Sequence, residues 1–185
     1  MNSNEIFENI YEQVDGRVIG GDLGFQDEAK EWVSGFLATL ENYQELLDID
    51  WCVVILASSS KAQHLNFSSD RSYWFITINS ELKDKDDFVQ TFAHELAHVF
   101  YKDNGVVPSQ FNDSPLLWMA ITELRADLKM ERWGALSIRE NTYLYGGGWE
   151  EFEKSVSKEE ALSFANIEDT DEISFNYFLT SRESG

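Results

Sequence analysis

The sequence predicts an α+β domain in which helices dominate. Three observations carry that reading. Apolar residues recur at helical spacing through several segments, and two short runs consist of strand-forming residues. The length, 185 residues, suits one domain better than two. At 43% hydrophobic and 14% aromatic, the chain is too apolar for disorder. A fold of this size buries roughly 70% of the surface its unfolded chain exposes, so it needs no disulfide or metal for stability.

In chain order, residues 4–13 can form a short helix. Residues 15–24 hold four glycines and predict a loop. Residues 26–47 predict a longer helix, with Trp32, Val33, Phe36, Leu37 and Leu40 at helical spacing. Residues 51–57 predict a buried strand, and 72–79, which include Tyr-Trp-Phe-Ile-Thr-Ile, a second one. Residues 86–102 predict a helix opened by an acidic cap, and 103–113 a loop. Residues 114–133 predict another helix, with Ser114 as N-cap, Pro115 at its first position and Gly134 just past its end. Glycines at 146–148 break the chain before a weakly helical, acidic stretch. The expected organisation is a single domain, 1–185. It comprises an acidic helical part (1–50), a core (51–135) and an acidic extension (146–185).

Charge excludes several functions. Asp plus Glu number 34 against 14 Lys plus Arg, a net charge of −20. Residues 1–50 hold 12 acids against 2 bases, 51–145 hold 12 against 9, and 146–185 hold 10 against 3. A nucleic-acid binder needs a basic footprint, which this chain lacks. Anionic membranes are disfavoured for the same reason. The single cysteine, Cys52, excludes a disulfide framework and a Cys-rich metal site. The first residues have no apolar stretch behind a basic start, and the longest strongly apolar run is 53–57, far short of a membrane span. The expected compartment is the cytoplasm.

One motif carries chemistry. Residues 91–101 run Thr-Phe-Ala-His-Glu-Leu-Ala-His-Val-Phe-Tyr, so His94, Glu95 and His98 form HExxH. Two of the chain's 3 histidines are here. Chance at this composition yields roughly 0.005 matches, so coincidence is a poor explanation. Positions i and i+4 stand one above the other on a helix, so both imidazoles can reach one Zn²⁺ at about 2.0–2.1 Å. Glu95 is too far round to be an easy ligand, but it can take a proton from a water on the metal. On a helical wheel Val89, Phe92, Leu96, Val99 and Phe100 form the core side, while His94, His98 and Tyr101 fall roughly opposite.

A catalytic zinc takes three protein ligands and keeps an open position. Six residues after His98 stands Asn104, not a third histidine, and no histidine follows. His64 lies upstream in a polar loop. A carboxylate remains, and the best candidate is Glu123, in Thr-Glu-Leu-Arg-Ala-Asp at 122–127 within an otherwise apolar helix. A carboxylate is costly to bury without a partner, and a metal supplies one. Asp127, one turn later on the same face, can accept the free ring N–H of a ligating histidine. The oxyanion of a hydrolysed peptide bond needs a donor. Tyr101, Tyr143, Tyr145 and His64 all qualify, and Tyr101 is the expected donor.

HExxH followed 25 residues later by Glu-x-x-Ala-Asp resembles the gluzincin metallopeptidases. The short chain looks more like the ImmA/IrrE-type peptidases, and Ile-Thr-Ile-Asn-Ser-Glu-Leu at 76–82 is also similar to that group. The resemblance covers roughly residues 50–135. It implies a compact zincin-like fold, with a small, mostly antiparallel sheet over the HExxH helix and a second, glutamate-bearing helix. It also implies His94, His98 and Glu123 as zinc ligands, Glu95 as general base and Asp127 as support. An edge strand would align the substrate backbone, a place that residues 72–79 would take.

The expected function is therefore zinc-dependent hydrolysis of a peptide bond in a protein substrate, endopeptidase rather than exopeptidase. The acidic surround favours a basic target. The alternative is an acidic interaction module on the same scaffold, binding a basic partner with a structural or vestigial zinc.

Overall fold

The computed structural model describes residues 2–21, 23–56, 64–67, 73–79, 84–103, 107, 109, 112, 118, 122, 123, 125, 126, 129, 130 and 132–135. The chain divides into two compact units, Met1–Asn104 and Gly105–Gly185.

The first unit is α+β. Its first helix, α1 (Ser3–Val14), opens with a reciprocal cap: the Glu5 N–H donates to the Asn2 side chain at 2.9 Å, and the Asn2 N–H donates to the Glu5 carboxylate at 2.8 Å. A short strand follows, β1 (Val18–Gly20), inside the segment expected to be a loop. Three residues beside several glycines leave no alternation to read, so this strand exists only through its pairing.

The helix expected over 26–47 is two helices, α2 (Leu23–Leu37) and α3 (Tyr43–Leu47). The Thr39 and Leu40 N–H groups donate to the Phe36 and Leu37 carbonyls, each at 3.0 Å, and the Thr39 hydroxyl donates to the Phe36 carbonyl at 2.6 Å. These tight closures satisfy the last carbonyls of α2 and end it, while Leu40 still buries its side chain.

Three further strands, β2 (Trp51–Leu56), β3 (His64–Phe67) and β4 (Trp74–Asn79), complete a four-stranded sheet in the order β1-β2-β4-β3. Val18 pairs with Val53, and Val53 with Ile76, both in parallel. Only β3 runs antiparallel, with His64 opposite Thr77. The sheet is thus mostly parallel, which corrects the antiparallel expectation. The physical reason is the crossover: α2 and α3 carry the chain from the end of β1 back to the start of β2, as parallel strands require. Two expectations about β3 and β4 change with it. His64 begins a strand rather than sitting in a loop. Within the segment 72–79 expected at an edge, β4 is an inner strand, bonded on both sides, and β1 and β3 are the outer strands among the described residues.

The last helix of this unit, α4 (Lys85–Tyr101), packs with α2 on the sheet face that carries Trp51. Phe92 meets Trp51 at 5.5 Å and Phe36 at 6.0 Å between ring centroids; Phe88 meets Trp32 at 5.4 Å and Phe25 at 6.0 Å. Trp51 is itself held: its indole N–H donates to the Leu46 carbonyl at 2.7 Å, and the Arg17 guanidinium lies over its ring at 4.9 Å. Arg17 also donates to the Ile49 and Leu47 carbonyls at 2.8 and 2.7 Å. The core is thereby a set of interlocked rings, and α4 cannot roll without unseating them.

In the second unit Trp118, Thr122, Glu123, Arg125, Ala126, Lys129, Met130 and Arg132 are helical, as expected of 114–133. Gly134, at φ +71°, ends that segment, and the Ala135 N–H donates to the Met130 carbonyl at 3.2 Å. That is the helix-terminating turn expected of a glycine there. Ser114 and Pro115 lie outside the described residues, as does the acidic stretch 146–185. Among the described residues no helix is long and apolar enough to cross a membrane.

Candidate metal centre

The position of α4 is set at both ends by local chemistry. At its start the Asp84 carboxylate accepts from the Asp86 and Asp87 N–H groups at 2.9 and 3.3 Å, and two further acids occupy the first turn, where the helix dipole favours them. At its end Lys102 adopts the left-handed conformation, φ 57° and ψ 43°. The Asp103 N–H then returns to the His98 carbonyl at 3.0 Å.

Between those ends, every residue from Thr91 to Val99 is buried. The apolar side is the ring-packed core. The histidine side is buried as well: His94 is 4%, His98 7% and Glu95 9% exposed. Groups that prefer water are thus held out of it, and each needs a partner.

The two imidazoles supply part of the answer. Their rings meet edge to face, centroids 4.8 Å apart, and their Nε2 atoms are 3.2 Å apart. Two ligands bound at about 2.0–2.1 Å to one tetrahedral ion stand about 3.3 Å apart, so the pair has the spacing such an ion imposes. His94, His98 and Glu123 each offer one ligand atom, and these three atoms lie within 4.8 Å of one another. This His-His-Glu group could hold a metal ion, and two imidazoles with one carboxylate are a donor set suited to a divalent cation with an open coordination place.

Glu95 directly follows His94 on α4 and is buried. Tyr101 is the last residue of α4, half-buried, with its ring against Phe100 at 5.2 Å. Asp127, Tyr143 and Tyr145 lie outside the described residues, and so does the His64 side chain.

One residue escaped the sequence reading. Asp103 places Oδ2 2.9 Å from His98 Nδ1, with the two side chains 11% and 8% exposed. The sequence signal for it is faint: an acid five residues beyond His98, past a helix end that carries Lys rather than Gly. A carboxylate accepts only, so His98 Nδ1 is the donor, and in the neutral ring Nε2 keeps its lone pair. Compared with family models, curated proteins and solved structures, the chain matches none.

Proposed function

We propose that the protein is a zinc-dependent peptidase that hydrolyses a peptide bond in another protein. The observation that carries this reading is the His94, His98 and Glu123 group, with Glu95 beside it on the same buried helix. A zinc ion held there would acidify water and polarise the scissile carbonyl. Glu95 accepts the proton of the attacking water and passes it to the leaving nitrogen. Burial keeps competing solvent away from that transfer. Tyr101 is the candidate donor to the oxyanion. An extended peptide can lie along β3, an outer strand among the described residues, and add its backbone to the sheet there.

The substrate we infer is basic. Every described acid among residues 1–50 is exposed, so this part of the surface is strongly negative. The same charge favours a second reading, an interaction module for a basic partner with structural zinc.

Cleavage of a random peptide library by the zinc-loaded protein, read by mass spectrometry of new termini, separates the two. The expected result is cutting by wild type and a loss of about 10²–10⁴-fold in Glu95→Gln at unchanged zinc content. A Glu95→Gln variant as fast as wild type would remove the mechanism. A zinc-loaded wild type that cuts nothing would transfer the reading to the interaction module.

A further inference from the structure

We propose that Asp103 is a positioning residue for His98, which it holds by the main chain and by the ring at once. Its backbone N–H donates to the His98 carbonyl at 3.0 Å, and its carboxylate accepts from the His98 Nδ1–H at 2.9 Å. The proposal rests on the peptidase reading for the metal, but not for the state of the imidazole.

A residue five positions along a continuing helix could not do this. It would stand about 7.5 Å further along the axis and more than a third of a turn away. The left-handed Lys102 reverses the chain at the end of α4 and folds Asp103 back onto the last turn. The same turn that closes the helix therefore delivers a carboxylate to the histidine ring. With both side chains nearly buried, water competes weakly for either partner, so the bond is charge-assisted and directional.

The consequence falls on the far side of the ring. Which nitrogen of a histidine is free is decided by the hydrogen bond of the other. Donation from Nδ1 to Asp103 leaves the His98 Nε2 lone pair directed at His94 Nε2, 3.2 Å away. Two lone pairs cannot face each other at that distance without a proton or a cation between them. Asp103 thus prepares one half of the pair as an acceptor and makes it a more basic ligand. It also stops the ring from flipping, because a flipped ring would bring a carbon against the carboxylate.

The test is the imidazole itself, read by long-range ¹H–¹⁵N correlation on metal-free protein, beside zinc affinity from chelator competition. In wild type His98 is expected as the Nδ1–H tautomer. Asp103→Ala should release it to a mixture of forms and weaken zinc binding by about 10–100-fold. Asp103→Asn keeps the size and the backbone bond, so it tests the carboxylate where the alanine variant fails to fold. It should retain part of both effects, since its side-chain carbonyl still accepts. His98 fixed as Nδ1–H in both variants would overturn the proposal, as would wild-type zinc affinity in both. A wild type that binds no zinc yet loses the Nδ1–H tautomer in Asp103→Ala would leave the positioning role standing and remove the peptidase reading.

Discussion

His94 and His98, one turn apart on α4, direct their Nε2 atoms at each other across 3.2 Å in a buried setting. One ring's own proton can bridge them as a hydrogen bond, and a cation there would bind both rings at once. Zinc should therefore stabilise the fold. Thermal unfolding at rising free zinc should shift upward, by about 2.7 kcal/mol of stability at 100 times the Kd. His94→Ala and His98→Ala should lose the shift. An equal shift in both variants would mean that zinc binds elsewhere.

Phe92 holds the helix beneath this pair. It is fully buried, against Trp51 and Phe36. Phe92→Ala should cost about 3–5 kcal/mol in urea unfolding. A cost below about 1 kcal/mol would show that the rings around it close the cavity, against the interlocked core described above.

Gly20 lets β1 approach β2. A Cβ there would stand 2.5 Å from the Ile55 carbonyl oxygen, and φ is +83°. Gly16 has the same φ of +83° with nothing within 4 Å of its Cβ position. Gly16→Ala should thus cost only the left-handed backbone, about 1–2 kcal/mol. Gly20→Ala should cost more, because a backbone oxygen in a sheet cannot move aside. Equal costs in chemical denaturation would refute the close approach.

Lys30 ties α2 to the end of α1 through Asp15 at 2.8 Å. The hydrogen bond to Lys30, and then its charge, hold the Asp15 carboxyl below the usual carboxylate range; the Asp15 hydrogen bond raises Lys30. The Asp15 contribution is present above its unfolded pKa and fades as pH falls through the folded one. The Lys30 contribution is present below its unfolded pKa and fades as pH rises through its raised value. Asp15→Asn should therefore differ from wild type near neutrality and converge with it in strong acid and strong base. A stability difference that holds constant through acid would contradict the pairing.

Cys52 is buried in β2, and burial pushes its thiol pKa up, with the Tyr73 hydrogen bond opposing. The thiolate is the reactive form. Native protein should thus react slowly with a disulfide reagent at mildly alkaline pH, and denatured protein at once. Rapid native labelling would show that β2 opens readily.

What the residue order determined by itself is local. The i, i+4 histidines, the acidic start of α4, the strand-forming runs of β2 and β4, and Gly134 at a helix end all act within a few residues, so they were legible. So was the nomination of Glu123, because a carboxylate inside an apolar helix needs a partner. The antiparallel expectation failed, and β1 and β3 went unseen, because short strands are defined by neighbours distant in sequence. The break after Leu37 was hidden by apolar residues that stay buried on both sides of it. Asp103 was hidden because Lys102 takes a backbone conformation that its side chain does not announce. Strand direction, the outer position of β3 and the return of Asp103 to His98 were decided only by tertiary structure. Each depends on where the chain is carried between contacts, and the free energy that selects it comes from long-range burial and pairing rather than from local preference.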